Sequence, residues 1–180
     1  MSLYGRTKNE EVFNALVHLP LVFISVYQIL LGNSNLVFFG FSFLTFIFSF
    51  AYHVTRQMVF KLIFRRLDIA SIFWLIPASV FHLLPSSVAI IVLSLCVILS
   101  VPVVKSGTST VFTDTALIIL AVTCLMLVFI FSLKWVGVAL GVFFYALGLP
   151  FYFNDAKKWA HFAWHLFVVA GWSIHLWVHL

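Results

Sequence analysis

Two pairs of polar side chains stand out in a chain that is otherwise strongly apolar. His161 and His165 lie four residues apart, and so do Ser49 and His53. Residues at this spacing share one face of an α-helix, about one turn apart. Two imidazoles on one face can hold a metal ion, and His53 would supply a third nitrogen.

A carboxylate completes the predicted site. Asp68 follows Arg65 and Arg66 closely, where it could act on a water molecule at the metal or orient a ligand imidazole. Three imidazoles, an open position and a nearby carboxylate describe a catalytic zinc site better than a closed structural one. Plainer interpretations stay open. The histidines could hydrogen-bond neighbouring helices, Asp68 could pair with Arg65 or cap its helix, and Ser49 could bond to its own helix carbonyl.

The surrounding composition predicts a membrane protein. Hydrophobic residues make up 64% of the 180 residues and charged residues 8%, whereas soluble domains are roughly half apolar and a quarter charged. Seven transmembrane helices are predicted, and the fifth and sixth are nearly continuous but together long enough for two crossings. The predicted spans are Val12 to Leu31, Leu36 to His53, Leu67 to Leu84, Ser87 to Val104, Val111 to Phe131, Trp135 to Phe153 and Trp159 to His179.

Basic residues orient this predicted bundle. With the N-terminus in the cytoplasm and the C-terminus outside, every lysine and arginine except Lys134 faces the cytoplasm. Merging the fifth and sixth spans would move Lys157 and Lys158 to the other side. The predicted site residues then lie at the cytoplasmic ends of their helices. We therefore predict an all-α seven-helix bundle, one domain over residues 1–180, with a short cytoplasmic segment at residues 1–11 and no soluble domain.

The remaining polar residues are given structural roles. His175 lies about 15 Å along the helix from His165, too far to bind the same ion, and His179 is expected at the interface. No basic stripe accompanies aromatic residues, which argues against a nucleic-acid partner. We expect Cys96 and Cys124 to be buried. Asn154 and Asp155 are expected as N-cap residues before the last helix, and Asp114 as a carboxylate in the first turn of its helix.

Four motifs occur in order along the chain: Glu10-Glu11-x-x-Asn14-x-x-x-His18, Ser49-x-x-x-His53, Arg66-Leu67-Asp68 and His161-x-x-x-His165-Leu-Phe-Val-Val-Ala-Gly171. Together they resemble the hemolysin III family, the bacterial branch of the progestin and adiponectin receptor family, and more distantly the alkaline ceramidases. The resemblance implies a bacterial inner-membrane protein with zinc bound by His53, His161 and His165. It also implies that Asp68 acts beside the zinc-bound water. The long N-terminal region of the animal receptors is missing, which argues against hormone reception.

The expected function is zinc-dependent hydrolysis of a lipid amide or ester within the membrane. Asp68 would take a proton from water and pass it to the leaving group, and Ser49 would donate a hydrogen bond to the developing oxyanion. The alternative is a non-enzymatic sensor, receptor-like or hemolysin-type protein with a structural metal site, in which Asp68 is a fourth ligand. A pore is less well supported, because few polar residues lie between the inner layer and His82 or His175.

Overall fold

The computed structural model describes residues 5–106 and 111–180, and all regular secondary structure in these two ranges is helical. A short 3₁₀ turn, Phe81–Leu83, follows the fourth α-helix. Residues 107–110, in the predicted break between the fourth and fifth spans, lie outside the described residues, as do residues 1–4. The α-helices are α1 Lys8–Leu16, α2 Leu19–Leu30, α3 Leu36–Val54, α4 Met58–Ala78, α5 Ser86–Ser106, α6 Val111–Phe131, α7 Trp135–Phe153 and α8 Ala160–His179.

Helices α1 and α2 are two halves of one broken helix. Pro20 lies in the first turn of α2, and since proline has no backbone N–H, it cannot continue the hydrogen bonding of α1. His18 sits in the break, where it is buried. Counted in this way, the described chain has seven helical segments in the positions of the seven predicted spans.

Five of these segments are long and apolar enough to cross a membrane, which is compatible with an integral membrane protein. They are the α1–α2 pair, α3, α5, α6 and α7. The two other segments, α4 and α8, are more polar. Basic residues and Asp68 lie in α4, and four histidines lower the mean hydropathy of α8.

The structure moves both ends of the third predicted span. Helix α4 begins at Met58 rather than Leu67 and ends at Ala78 rather than Leu84, so most of the basic stretch Arg56 to Arg66, predicted as a break, is helical. Lysine and arginine are good helix formers, and this explains the extension. Helix α8 begins at Ala160 with Trp159 as its N-cap. The prediction that Asn154 and Asp155 cap this helix is therefore wrong.

Two apolar clusters hold the bundle together. One joins α4, α5 and α6 and includes both cysteines, which are buried and free as predicted. The other joins α2, α3 and α8 around Phe38, Phe39, Phe46 and Trp172.

Glycines bring α7 and α8 unusually close. A Cβ atom added at Gly141 would lie 2.2 Å from Cδ2 of His175, and one added at Gly171 would lie 2.5 Å from Cε1 of Tyr145. Gly137 and Gly141 form the small-xxx-small pattern by which helices in membranes approach one another. The close contact fixes the position of α8, the helix that carries His161, His165, His175 and His179.

Candidate metal centre

Three buried histidines from three helical segments meet at one end of the bundle. Nε2 of His53, at the end of α3, lies 3.1 Å from Nε2 of His165 in α8. His18, at the α1–α2 break, joins them, so that one nitrogen from each ring lies within 4.8 Å of the others. Such a group can hold a metal ion. It contains two of the three predicted ligands, His53 and His165, and one histidine to which no ligand role was given.

Glu11 fixes the ring of His53. Its Oε2 lies 2.6 Å from His53 Nδ1, and since an ionised carboxylate only accepts hydrogen bonds, Nδ1 carries the proton. The lone pair of the neutral ring is then on Nε2, which faces His165. Lys61 Nζ lies 3.5 Å from Glu11 Oε1, so the carboxylate behind His53 also has a cationic partner. Metal-bound histidines commonly have a carboxylate behind them in this way.

Ser49 lies between His18 and Asp68. The Ser49 hydroxyl lies 3.1 Å from His18 Nε2, and its side chain interacts with that of Asp68. A hydroxyl both donates and accepts, so Ser49 can serve either tautomer of His18. Nδ1 of His18 is a buried atom with no hydrogen-bond partner in the described part of the chain. The structure thus brings the predicted pair Ser49 and Asp68 to the edge of the histidine group.

His161 lies beside the three histidines but outside the set with close nitrogen atoms. Its ring centroid is 4.4 Å from that of His165 and 5.2 Å from that of His53. Its Nδ1 is 2.9 Å from Asp155 Oδ1, but neither of these atoms nor the buried Nε2 has a hydrogen-bond partner among the described residues. A carboxylate thus lies beside the His161 ring without the hydrogen bond that Glu11 makes to His53, and the ligand role of His161 stays a prediction.

Asp155 has a definite role in place of the expected cap. Its second carboxylate oxygen pairs with Arg6, from the segment before α1. Burial by itself would raise the pKa of Asp155, but the contacts with His161 and Arg6 outweigh burial and hold the pKa below its ordinary value. Asp155 is thus an anion that joins the N-terminal segment to the start of α8.

Glu10 makes a second connection between these parts of the chain. It forms a capping box with Thr7 at the start of α1, and its other oxygen accepts from the Trp159 backbone N–H at 2.7 Å. Trp159 has φ 62°, an unfavourable conformation for a bulky residue. The neighbouring Glu10 and Glu11 therefore have different tasks. One holds the start of α8, and the other holds His53.

The sequence motif from Glu10 to His18 had no predicted chemical role. The spacing contains a usable signal, because Glu11, Asn14 and His18 follow one another at three and four residues and so share a helix face. What the spacing could not give is the partner of each residue. The partners of Glu11 and His18, which are His53 and Ser49, lie on α3, whose position relative to α1 depends on packing.

Comparison with known proteins gave no match to a family model, to a curated protein or to a solved structure.

Proposed function

We propose that this chain is a zinc-dependent intramembrane hydrolase of the hemolysin III type, acting on a lipid amide or ester. The observation that supports this best is the arrangement around the histidines. Glu11 behind the His53 ring leaves the lone pair of His53 on Nε2, which faces His165, and Ser49 contacts His18 beside Asp68. Imidazole nitrogens suit zinc, whereas magnesium and calcium take oxygen ligands.

The donor set fits a tetrahedral ion. Zinc–nitrogen bonds of about 2.0–2.1 Å place two ligand nitrogens roughly 3.3 Å apart, close to the 3.1 Å between His53 and His165. We propose His161 as the third ligand, because its buried Nε2 has no hydrogen-bond partner among the described residues and the Asp155 carboxylate lies 2.9 Å from its Nδ1. His18 is the competing candidate, since its nitrogen already lies within reach of the other two.

Zinc, when bound, would polarise the scissile carbonyl and make a water molecule more acidic. Asp68 would accept the proton of the attacking water and then deliver it to the departing amine or alcohol. Ser49 donates to Asp68 while the carboxylate is ionised. Once Asp68 is protonated, this hydrogen would be available for the oxyanion on the substrate carbonyl.

The proposed setting is a seven-span bundle in a bacterial inner membrane, with the N-terminus inside. The basic residues at the start of α4 would then lie at the cytoplasmic headgroups, level with Asp68. A membrane lipid could enter sideways between helices with its polar linkage at the histidines and its chains in the bilayer.

The test compares wild-type protein with Asp68→Asn. Asparagine keeps the size of the side chain but cannot accept the proton, so zinc should stay bound while cleavage of ceramides, acyl amides or phospholipids is lost. Zinc content is measured by elemental analysis and cleavage by lipid mass spectrometry. Loss of zinc together with stability in Asp68→Asn would instead make Asp68 a ligand.

A second candidate function is a non-enzymatic sensor with a structural metal site. It is favoured by the fourth imidazole, because binding by both His18 and His161 would close the coordination sphere. X-ray absorption spectroscopy separates the two. Three imidazoles and one oxygen ligand support the hydrolase, and four imidazoles without lipid cleavage support the sensor.

A further inference from the structure

A second histidine pair lies at the opposite end of α8, about 27 Å from His161 at the rise of an α-helix. The partner of His179 is His82, which lies in the 3₁₀ turn after α4. The centroids of the two rings are 4.2 Å apart. This separation is similar to the 4.4 Å between His161 and His165. His82 is exposed and His179 is buried.

Hydrogen bonding determines which nitrogen of His179 can bind a ligand. Nε2 lies 2.9 Å from the backbone carbonyl of Ser79. A carbonyl only accepts, so Nε2 carries the proton and the lone pair is on Nδ1. That Nδ1 is buried and has no hydrogen-bond partner within the described ranges. A backbone carbonyl behind the ring is, like a carboxylate, a common support for metal-bound histidine.

Space for a ligand is present beside this pair. A cavity of about 260 Å³ is lined by His82 together with polar side chains at the start of α3 and α5, including Asn35 and Ser86. Asn35 also donates to the backbone carbonyl of His179 at 2.8 Å, so the cavity and the buried histidine belong to one structural unit. Water or an external ligand could occupy it and complete the coordination of an ion.

We propose that His82 and His179 form a second metal site, which binds a divalent transition metal with two imidazole nitrogens and exchangeable ligands in the cavity. Copper(II) should bind most tightly, because affinity for nitrogen sites peaks at copper among the first-row divalent ions. The charge of Lys134, whose Nζ donates to the Val178 carbonyl at 2.8 Å, opposes a cation here and favours reversible binding. The site does not depend on the proposed hydrolase activity.

The experiment adds one equivalent of copper(II) to protein in which the metal centre at His53 and His165 is filled with zinc. Zinc gives no electron paramagnetic resonance signal. The expected copper spectrum has hyperfine coupling to two imidazole nitrogens, and zinc content stays unchanged. His82→Ala should weaken copper binding at least tenfold and remove one nitrogen coupling. Ser86→Ala is the matched control, since it alters the same cavity without removing an imidazole, and it should bind copper as wild type does.

His179→Phe tests the buried ligand while keeping a ring against Phe38, whose centroid is 4.0 Å from that of His179. It should lose copper binding at unchanged melting temperature. The proposal is overturned if His82→Ala binds copper as tightly as wild type, if the spectrum lacks coupling to two nitrogens, or if copper only displaces zinc from the centre at His53 and His165.

Discussion

At the scale of single residues, Glu11 controls the geometry of the candidate metal centre through His53. Replacing it with glutamine removes the charge that fixes the His53 proton on Nδ1, because an amide can also present N–H to the ring. We expect metal affinity to fall about 10- to 100-fold, the usual cost of losing such a supporting contact. Zinc titration with a competing chelator measures this change.

Glu10→Gln is the matched control. The neighbouring carboxylate contacts Thr7 and the Trp159 N–H rather than a histidine. Glutamine has a single acceptor oxygen, so it keeps one of these bonds and loses the other without touching the His53 ring. Its zinc affinity should stay within about threefold of wild type. Equal losses in both variants would mean that Glu11 acts on the fold of the N-terminal segment and not on the His53 ring.

The ligand set is tested by single alanine substitutions. His53 and His165 belong to both candidate triads, so either substitution should remove stoichiometric zinc, since a site with two imidazoles binds far more weakly. His161→Ala should do the same, whereas His18→Ala should keep zinc. The reverse result for the last two variants would make His18 the third ligand and leave His161 as a partner of Asp155. Elemental analysis after dialysis gives the answer.

Residue spacing predicted the site only in part, for a physical reason. The four-residue spacings of His161 with His165 and of Ser49 with His53 are local, so the helix geometry alone gives their shared faces. The bonds of Glu11 to His53 and of Ser49 to His18 join distant parts of the chain. Which residue meets which then depends on how α1, α3 and α8 pack, and hydropathy does not encode this.

At the scale of helices, the contact between α7 and α8 depends on glycine. Gly141→Ala places a methyl group against the His175 ring and the Gly171 carbonyl, 3.2 Å away. Because the carbonyl is backbone, the helices must move apart, and overpacking of this kind costs about 1–3 kcal/mol. We expect a lower melting temperature in detergent and weaker zinc binding, since α8 carries His161 and His165.

Gly40→Ala is the control for this prediction. Gly40 lies in α3, and nothing lies within 4 Å of an added Cβ atom. Alanine is also the better helix former by about 1 kcal/mol, so stability should be unchanged or slightly higher. A melting temperature for Gly141→Ala equal to that of Gly40→Ala would show that α7 and α8 are not in close contact.

Helix positions were easier to predict from the sequence than helix ends. The apolar runs predicted seven segments, and the described helices occupy those positions. The start of α4 was misplaced because a run of basic residues suits both a loop and the exposed end of a helix. The break at His18 was missed since Pro20 lies within an apolar run, where hydropathy shows no interruption.

At the scale of the whole molecule, the open question is how many segments cross the membrane. The five most apolar segments exclude α4 and α8, yet α4 carries Asp68 and α8 carries His161 and His165. If α4 did not cross, α5, α6 and α7 would all be inverted. The loop at Leu133 would then be cytoplasmic and Asn154 would lie outside. With seven crossings, the two positions are exchanged, so they discriminate between the counts.

We expect seven crossings, because this count places nine of the ten lysines and arginines on the cytoplasmic side. Single cysteines at Ser34, Gln57, Leu133 and Asn154 test it in a background with Cys96 and Cys124 changed to alanine. In intact bacterial cells, a membrane-impermeant maleimide should label the cysteines at Ser34 and Leu133, and those at Gln57 and Asn154 only after permeabilisation. Ser34 and Gln57 have the same expectation for either count with the N-terminus inside, so they serve as controls for orientation. A label on the Asn154 cysteine but not on the Leu133 cysteine in intact cells would rule out the crossing by α4, and with it the seven-span bundle.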